Sequence, residues 1–190
     1  PMSNATGVTP LDVPPAFLHK MDELIKRESD LETVIKLFFV IVAELLDLGT
    51  TEAIRQDKTV QPLVRSFADD HENEERLHRV YFRKLFEDVW ALLPSDIRQR
   101  IGILMPEIFI AFLGPDPQAM KRTLTTFPDD FPDADVIVLD LTRPEDVTKR
   151  IRESALDVLN FMYDHGVFLD PWIAKSFRYH GLVPSHFGVA

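Results

Sequence analysis

The sequence contains no cysteine in its 190 residues. This absence excludes disulfide bonds, thiolate metal sites and cysteine nucleophiles. A protein without disulfides is compatible with a reducing compartment, so we expect it in the cytoplasm.

Long hydrophobic runs are also absent. The longest apolar run, residues 37–43, ends at Glu44, whereas a helix that crosses a bilayer needs about 20 apolar residues. The N-terminus has no basic start followed by an apolar segment, so it does not look like a signal peptide. The sequence therefore predicts no transmembrane segment and no membrane partner.

Positive charge is scarce. The chain has 21 Lys and Arg residues against 31 Asp and Glu residues, which gives a formal net charge of −10. Nucleic-acid binding requires clustered cations that neutralise phosphates, so this balance argues against a nucleic-acid partner. The composition, 45% hydrophobic and 27% charged, is typical of a globular domain rather than of a disordered chain.

Every segment with clear periodicity is helical. Asp30 and Ser95 are expected to cap two of the helices, and Gly166 to end the last one. Pro106 lies inside the third long helix and should kink it. The sequence thus predicts an all-α bundle with a kinked third long helix. The predicted helices cover residues 16–27, 31–49, 62–93, 96–113, 118–126 and 144–165.

The other segments divide the chain into three parts. Residues 1–15 are rich in Pro, Ser, Thr and Gly and are predicted to form an extended lead-in. Residues 16–170 are predicted to form the helical bundle domain, and residues 171–190 an irregular C-terminal tail. Residues 127–145 are expected to form a Pro- and Asp-rich connection. A short strand over residues 136–139 is discounted, because a single strand has no pairing partner.

One segment combines residue types that bind metals. The stretch from His71 to His78 contains the pattern His-x-x-x-Glu-x-x-His. At about 100° per residue, His71, Glu75 and His78 lie within about 60° of one another on one helix face. Imidazole nitrogen and carboxylate oxygen suit iron, manganese or zinc. Glu75 and His78 also form the Glu-x-x-His element of di-iron carboxylate bundles, although this short pattern occurs by chance in many soluble helices.

Glu44 adds a second, independent signal. It interrupts the apolar stretch of residues 38–46, so its carboxylate is expected to be buried. A buried carboxylate is costly unless it meets a cation, a proton or hydrogen-bond donors. The alternative is a carboxylate that pairs with an arginine or reaches solvent at a helix end. The two-histidine helix that follows favours the metal site.

These residues together resemble a known family. The spacing from Glu44 to Glu75, with the intervening Gln61 and Pro62, resembles the third and fourth ligand helices of the p-aminobenzoate N-oxygenase family of di-iron arylamine oxygenases. The resemblance runs through most of the chain and is strongest between residues 42 and 78. It implies a ferritin-like di-iron helical bundle, of which this chain resembles the C-terminal portion.

The resemblance implies a role for each ligand. Glu44 resembles the single carboxylate ligand of the third helix, and Glu75 resembles the carboxylate that bridges the two irons. His78 resembles the terminal histidine ligand. His71 resembles the additional histidine that distinguishes this family from simpler di-iron bundles. No catalytic residue beyond the metal ligands is expected.

Three further residues are predicted to support the site. Arg152 resembles an arginine that holds the substrate carboxylate in this family, which suits the bidentate pairing of guanidinium with carboxylate. The alternative is a surface arginine that pairs with Glu145 or Glu153. Asp47 and Glu74 are candidate acceptors for the second ring nitrogens of the ligand histidines.

The same resemblance implies the chemistry. The expected cofactor is a di-iron centre, with manganese as the alternative metal. The irons would activate O2 and oxidise the nitrogen of an arylamine or a similar small metabolite, with electrons from an external donor. Two other functions stay open: a different di-iron oxidase on the same bundle, and a non-catalytic or single-metal helical protein that binds a partner.

The chain departs from the family pattern in its ligand count. A complete centre needs another single Glu and another Glu-x-x-His on the N-terminal side, and no Glu upstream of Glu44 has a His three residues later. Four ligands are too few for two irons. We expect the missing ligands from an N-terminal segment of a longer protein, which the non-Met start favours, or from a second copy in a homodimer. The remaining alternative is a half-site that binds one metal or none.

Overall fold

The computed structural model describes residues 14–46 and 54–183, and every structural statement below concerns these residues. They form nine α-helices and contain no strand, which confirms the predicted all-α class and fits a ferritin-like bundle. None of these helices is both long enough and apolar enough to span a membrane. The helices are α1 (Ala16–Arg27), α2 (Glu32–Leu45), α3 (Pro62–Leu92), α4 (Ser95–Leu113), α5 (Pro117–Thr125), α6 (Ala134–Leu141), α7 (Pro144–Ser154), α8 (Leu156–Asp164) and α9 (Pro171–Tyr179).

The first two helices meet at a short turn. α1 begins and ends as predicted, whereas α2 starts at Glu32 without a side-chain cap from Asp30. Asp30 lies in a 3-10 turn, Ser29–Leu31, and its carboxylate accepts hydrogen bonds of 2.8 and 2.7 Å from the Arg100 guanidinium. The capping prediction is therefore wrong, because a long-range ion pair with α4 occupies the carboxylate.

α2 also ends earlier than predicted. Its last residue is Leu45, and Leu46 turns into extended backbone with a ψ of 121°. Both side chains are buried, so the chain leaves the helix while keeping Leu46 in the core. Gly49, the predicted end, lies outside the described residues.

The next two helices follow their predictions closely. α3 begins at Pro62, in the first turn of a helix, where the missing N–H of proline has little cost. α4 begins at Ser95, so this residue is the first of the helix and not its cap. The helix continues through the buried Pro106. The kink at that proline stays a prediction.

The predicted Pro- and Asp-rich connection contains a helix, α6. Ala134 and Val138 are buried one helical turn apart, and the helix packs against α5. Of the apolar residues 136–139, Val138 is buried, whereas Val136 and Leu139 are 64% and 72% exposed. The predicted connection is therefore helical over residues 134–141, because packing against α5 gives a short apolar run a surface to cover.

The predicted irregular tail contains α9. Asp170 caps this helix, since its Oδ1 accepts hydrogen bonds from the backbone N–H of Trp172 at 2.8 Å and of Ile173 at 3.2 Å. Ile173 and Phe177, one turn apart, are 1% and 0% exposed. The prediction is wrong for residues 171–179, because these side chains fold onto the core as one face of a helix.

The last predicted long helix is interrupted at Ala155, between α7 and α8. The Ala155 N–H still donates to the Ile151 carbonyl at 2.9 Å, so helical hydrogen bonding continues across the interruption. The C-terminal end is as predicted: Gly166 adopts a φ of 73°, a left-handed conformation that glycine reaches without steric cost.

The apolar core has an aromatic centre. Phe38 of α2 meets Phe86 and Trp90 of α3 edge-on, with ring centroids 6.0 and 6.1 Å apart. Phe82, Leu85 and Val89 of α3 also pack against this core while staying partly exposed. Between residues 62 and 81, α3 buries only Ala68, and the predicted metal ligands of this helix lie in that part.

Candidate metal centre

The predicted ligands lie where α2 and α3 pack against each other. Glu44 projects from the last turn of α2, and Glu75 and His78 project from the middle of α3. One ligand atom from each of these residues lies within 4.8 Å of the others. Because Glu75 and His78 are three residues apart, one face of α3 presents both towards Glu44. The structure thus brings together three of the four predicted ligands.

The Glu44 carboxylate carries the clearest sign of an unmet charge. Its Oε2 is buried and accepts no hydrogen bond from any described residue. No described arginine pairs with Glu44. The side chain is nevertheless 31% exposed in the last turn of α2, so the carboxylate is only partly buried, as the helix-end alternative predicted. His78 Nδ1 lies 3.2 Å from Glu44 Oε2. Two donors bound to one ion lie about 3 Å apart when each bond is about 2.1 Å long, so this pair is spaced like two ligands of one cation.

His71 lies at the edge of the group. Its Nε2 is 3.5 Å from Glu75 Oε1, and its side chain is 45% exposed. Its ring stacks on Phe67 with a centroid separation of 6.2 Å. Glu75 therefore lies between His71 on one side and the Glu44–His78 pair on the other. A carboxylate in this position can bridge two metal ions.

Only one of the two predicted acceptors for the histidines lies within the described residues. Asp47 lies outside the described residues. Glu74 is exposed on α3 and makes no hydrogen bond or ion pair with either histidine in the described part of the chain. The structure shows a charged pair that the sequence reasoning missed: Arg79 donates to Glu72 at 2.7 Å, and both side chains are less than one-quarter exposed. The seven-residue spacing, which places both on one face of a helix, is the signal that could have identified this pair.

Arg152 does not join the group. It lies in α7, and its Nη1 donates to the backbone carbonyl of Gly181 at 3.3 Å. It makes no hydrogen bond or ion pair with Glu44, Glu75 or His78 in the described structure. The alternative prediction, an ion pair with a neighbouring glutamate of α7, is not formed either. The arginine instead joins α7 to the chain that follows α9.

An apolar stripe borders the group on the side of α3 that faces away from the core. Leu63, Phe67, Leu77 and Tyr81 form this stripe, and their exposed fractions are 75%, 70%, 70% and 62%. At about 100° per residue, the four side chains lie within about 80° of the helix circumference, next to His78. Large exposed apolar patches of this kind are typical of interaction surfaces.

Comparison with known proteins identifies a family. The family model described as p-aminobenzoate N-oxygenase AurF matches residues 1–166 of the chain. This range includes all four predicted ligands and Arg152. No curated protein and no solved structure matches the chain significantly.

Proposed function

Because this chain belongs to the p-aminobenzoate N-oxygenase AurF family, we propose that it supplies half of the metal ligands of a non-haem di-iron oxygenase that oxidises the nitrogen of an arylamine or a similar small amine. The family itself is one of oxygenases. The observation that carries the proposal is the group of Glu44, Glu75 and His78, whose ligand atoms lie within 4.8 Å of one another and include a buried carboxylate oxygen with no hydrogen-bond partner.

We name Glu44, His71, Glu75 and His78 the half-site. Bound iron, or manganese as the alternative, supplies O2 activation. Glu44 and Glu75 would offset half of the positive charge of two divalent cations, and His78 would contribute a neutral nitrogen ligand. Glu75 reaches both His71 and the Glu44–His78 pair, which supports its assignment as the bridging carboxylate. The Phe67 ring, stacked on His71, limits the directions in which that imidazole can turn.

The half-site needs a complement. Di-iron bundles of this class combine two single Glu residues with two Glu-x-x-His elements, and the half-site holds one of each. We propose that a second pair of helices covers the apolar stripe and brings the other set. Its two candidate sources are an N-terminal segment of the same protein and a second copy of this chain. Electrons come from an external donor.

Iron binding tests this proposal in the native protein. Glu75→Ala and His78→Ala should each weaken iron binding by about tenfold or more, since each removes one donor from a small ligand set. Iron content after reconstitution and gel filtration measures the effect. His19→Ala is the matched control, because His19 is an exposed histidine on α1. Retention of iron by both half-site variants at the wild-type level would disprove the metal assignment.

Activity and mass complete the experiment. Iron-loaded protein that receives O2, a reductant and a panel of arylamines should release hydroxylamine or nitro products, and Glu75→Ala should release none. Iron binding without any oxidised amine would exclude the N-oxygenase and leave a different di-iron oxidase. The native mass and the number of distinct polypeptides distinguish the two sources of the second helix pair.

A further inference from the structure

A separate cleft lies at the C-terminal end of α3. Its volume is about 580 Å³, and its walls come from the end of α3, the first turn of α4 and the segment from His165 to Ile173. Trp90 in this cleft is twelve residues from His78, which corresponds to about 18 Å along a helix. The cleft therefore shares no residue with the half-site and requires its own explanation.

The inner wall of the cleft is apolar and consists of buried side chains. Trp90, Val167 and Ile173 line it, and they are 6%, 1% and 1% exposed. Trp90 is held by Phe86, whose ring stacks at a centroid distance of 5.6 Å. Such a wall suits the body of a small, flat or compact apolar ligand.

Most of the polar groups in the cleft already have partners. The Asp170 carboxylate caps α9 through Oδ1 and accepts a hydrogen bond of 2.8 Å from Gln99 through Oδ2. Glu87 lies 3.1 Å from His165 Nε2, and His165 Nδ1 lies 2.8 Å from the Phe161 carbonyl oxygen. Both carboxylates and both imidazole nitrogens are therefore engaged within the protein.

Arg98 is the exception. Its Nη2 donates to the Leu93 carbonyl at 3.0 Å, and it forms no ion pair with a described residue. Its Nε is buried without a hydrogen-bond partner. The guanidinium lies 6.0 Å from the centre of the Trp90 ring. Because Nε is buried, an anion would meet the guanidinium at its Nη atoms, and a half-buried guanidinium without a counterion favours such an anion.

We propose that this cleft is a binding site for a small organic carboxylate with an apolar body. The carboxylate pairs with Arg98, and the body packs against Trp90 and the apolar wall. A volume of about 580 Å³ lies within the range of about 300–1,000 Å³ that is typical of small-molecule sites. The site is independent of metal binding, so it goes beyond the proposed oxygenase.

Tryptophan fluorescence tests the site, because the chain has two tryptophans and the other one, Trp172, can be replaced. In the Trp172→Phe protein, benzoate should change the Trp90 emission with saturation. Benzamide, which has the same ring and no charge, should bind about tenfold more weakly or not at all. Equal binding of both compounds, or no saturable change with benzoate, would overturn the proposal.

Variants locate the binding. In the same background, Arg98→Gln should weaken benzoate binding about tenfold or more, whereas Arg143→Gln, which removes an equal charge from an exposed pair with Asp140, should leave it unchanged. Ala91→Phe fills the cleft and keeps Arg98, so it should also weaken benzoate binding. It replaces Arg98→Gln in the test if that variant fails to fold. Glu75→Ala should bind benzoate normally. Loss of binding in Glu75→Ala alone would place the ligand at the half-site and refute the cleft.

Discussion

Glu44 illustrates how one residue can belong to both the core and the surface. Its neighbours Val42 and Leu45 are 0% and 3% exposed, yet its carboxylate points towards His78 on the exposed part of α3. A single acidic residue at the end of an apolar helix therefore marks the border between the packed interior and the candidate metal group. The buried Oε2 explains why this position would bind a cation more strongly than an ordinary surface carboxylate.

Glu107 provides a prediction of pH dependence. It accepts hydrogen bonds of 2.5 and 3.4 Å from the Arg27 guanidinium. Burial by itself would raise the pKa of this carboxyl, but the hydrogen bond and charge of Arg27 outweigh burial and lower the pKa below 4.5. The native state therefore favours the charged form. This stabilisation is present above the unfolded-state pKa and disappears as the pH falls through the lowered folded-state pKa.

Glu107→Gln should therefore reduce the free energy of unfolding by about 1 kcal/mol at pH 7 and by much less once the pH lies below the lowered folded-state pKa. Urea denaturation at a series of pH values measures the difference. Glu153→Gln is the control, since Glu153 is exposed and lies 4.0 Å from Lys149. A difference between Glu107→Gln and the wild type that does not shrink in acid would contradict the pKa argument.

The short helices show where the local sequence pattern is no longer sufficient to predict a helix. α6 and α9 have only eight and nine residues, and both pack against other helices. Isolated helices of this length are marginal in water, so tertiary contacts decide whether they form. Helix capping also depends on tertiary contacts. Asp170 caps α9, whereas Asp30 pairs with Arg100 instead of capping α2.

The end of α8 provides a prediction at the level of the helix. Gly166 has a φ of 73°, and a Cβ at this position would lie 3.1 Å from Leu169 Cδ1. Gly166→Ala should reduce the free energy of unfolding by about 1–2 kcal/mol, because the left-handed conformation is strained for residues with a Cβ. Gly166→Asn should lose less, since asparagine tolerates this conformation better. Chemical denaturation compares the three proteins, and an alanine variant as stable as the wild type would refute the argument.

At the scale of the whole molecule, the described helices differ in how much of their surface is covered by other described residues. α4, α8 and α9 enclose the core, whereas α3 buries three residues and exposes the apolar stripe next to the half-site. The apolar stripe and the half-site lie side by side on the exposed part of α3. A second helix pair packed on this face would cover the apolar surface and supply ligands to the same metal ions.

Leu63→Gln combined with Leu77→Gln tests this arrangement. The two side chains are 75% and 70% exposed and outside the core, so the fold should keep its thermal stability. Iron content should fall several-fold, because the stripe no longer holds the complementary ligands in place. Metal analysis and light scattering measure iron content and native mass. The control is Leu139→Gln, a 72% exposed leucine on α6. Unchanged iron content in the double variant would argue against a partner on this face.

The sequence by itself determined the helical class, the bounds of α1 and α3, and the alignment of Glu75 with His78. These features depend on helical periodicity and on prolines at helix ends, which act over a few residues. Only the tertiary structure decided that Glu44 lies 3.2 Å from His78, that His71 lies at the edge of the group, and that Arg152 binds Gly181. The physical reason is that periodicity orients a side chain about its own helix, whereas the packing of whole helices determines which side chains meet.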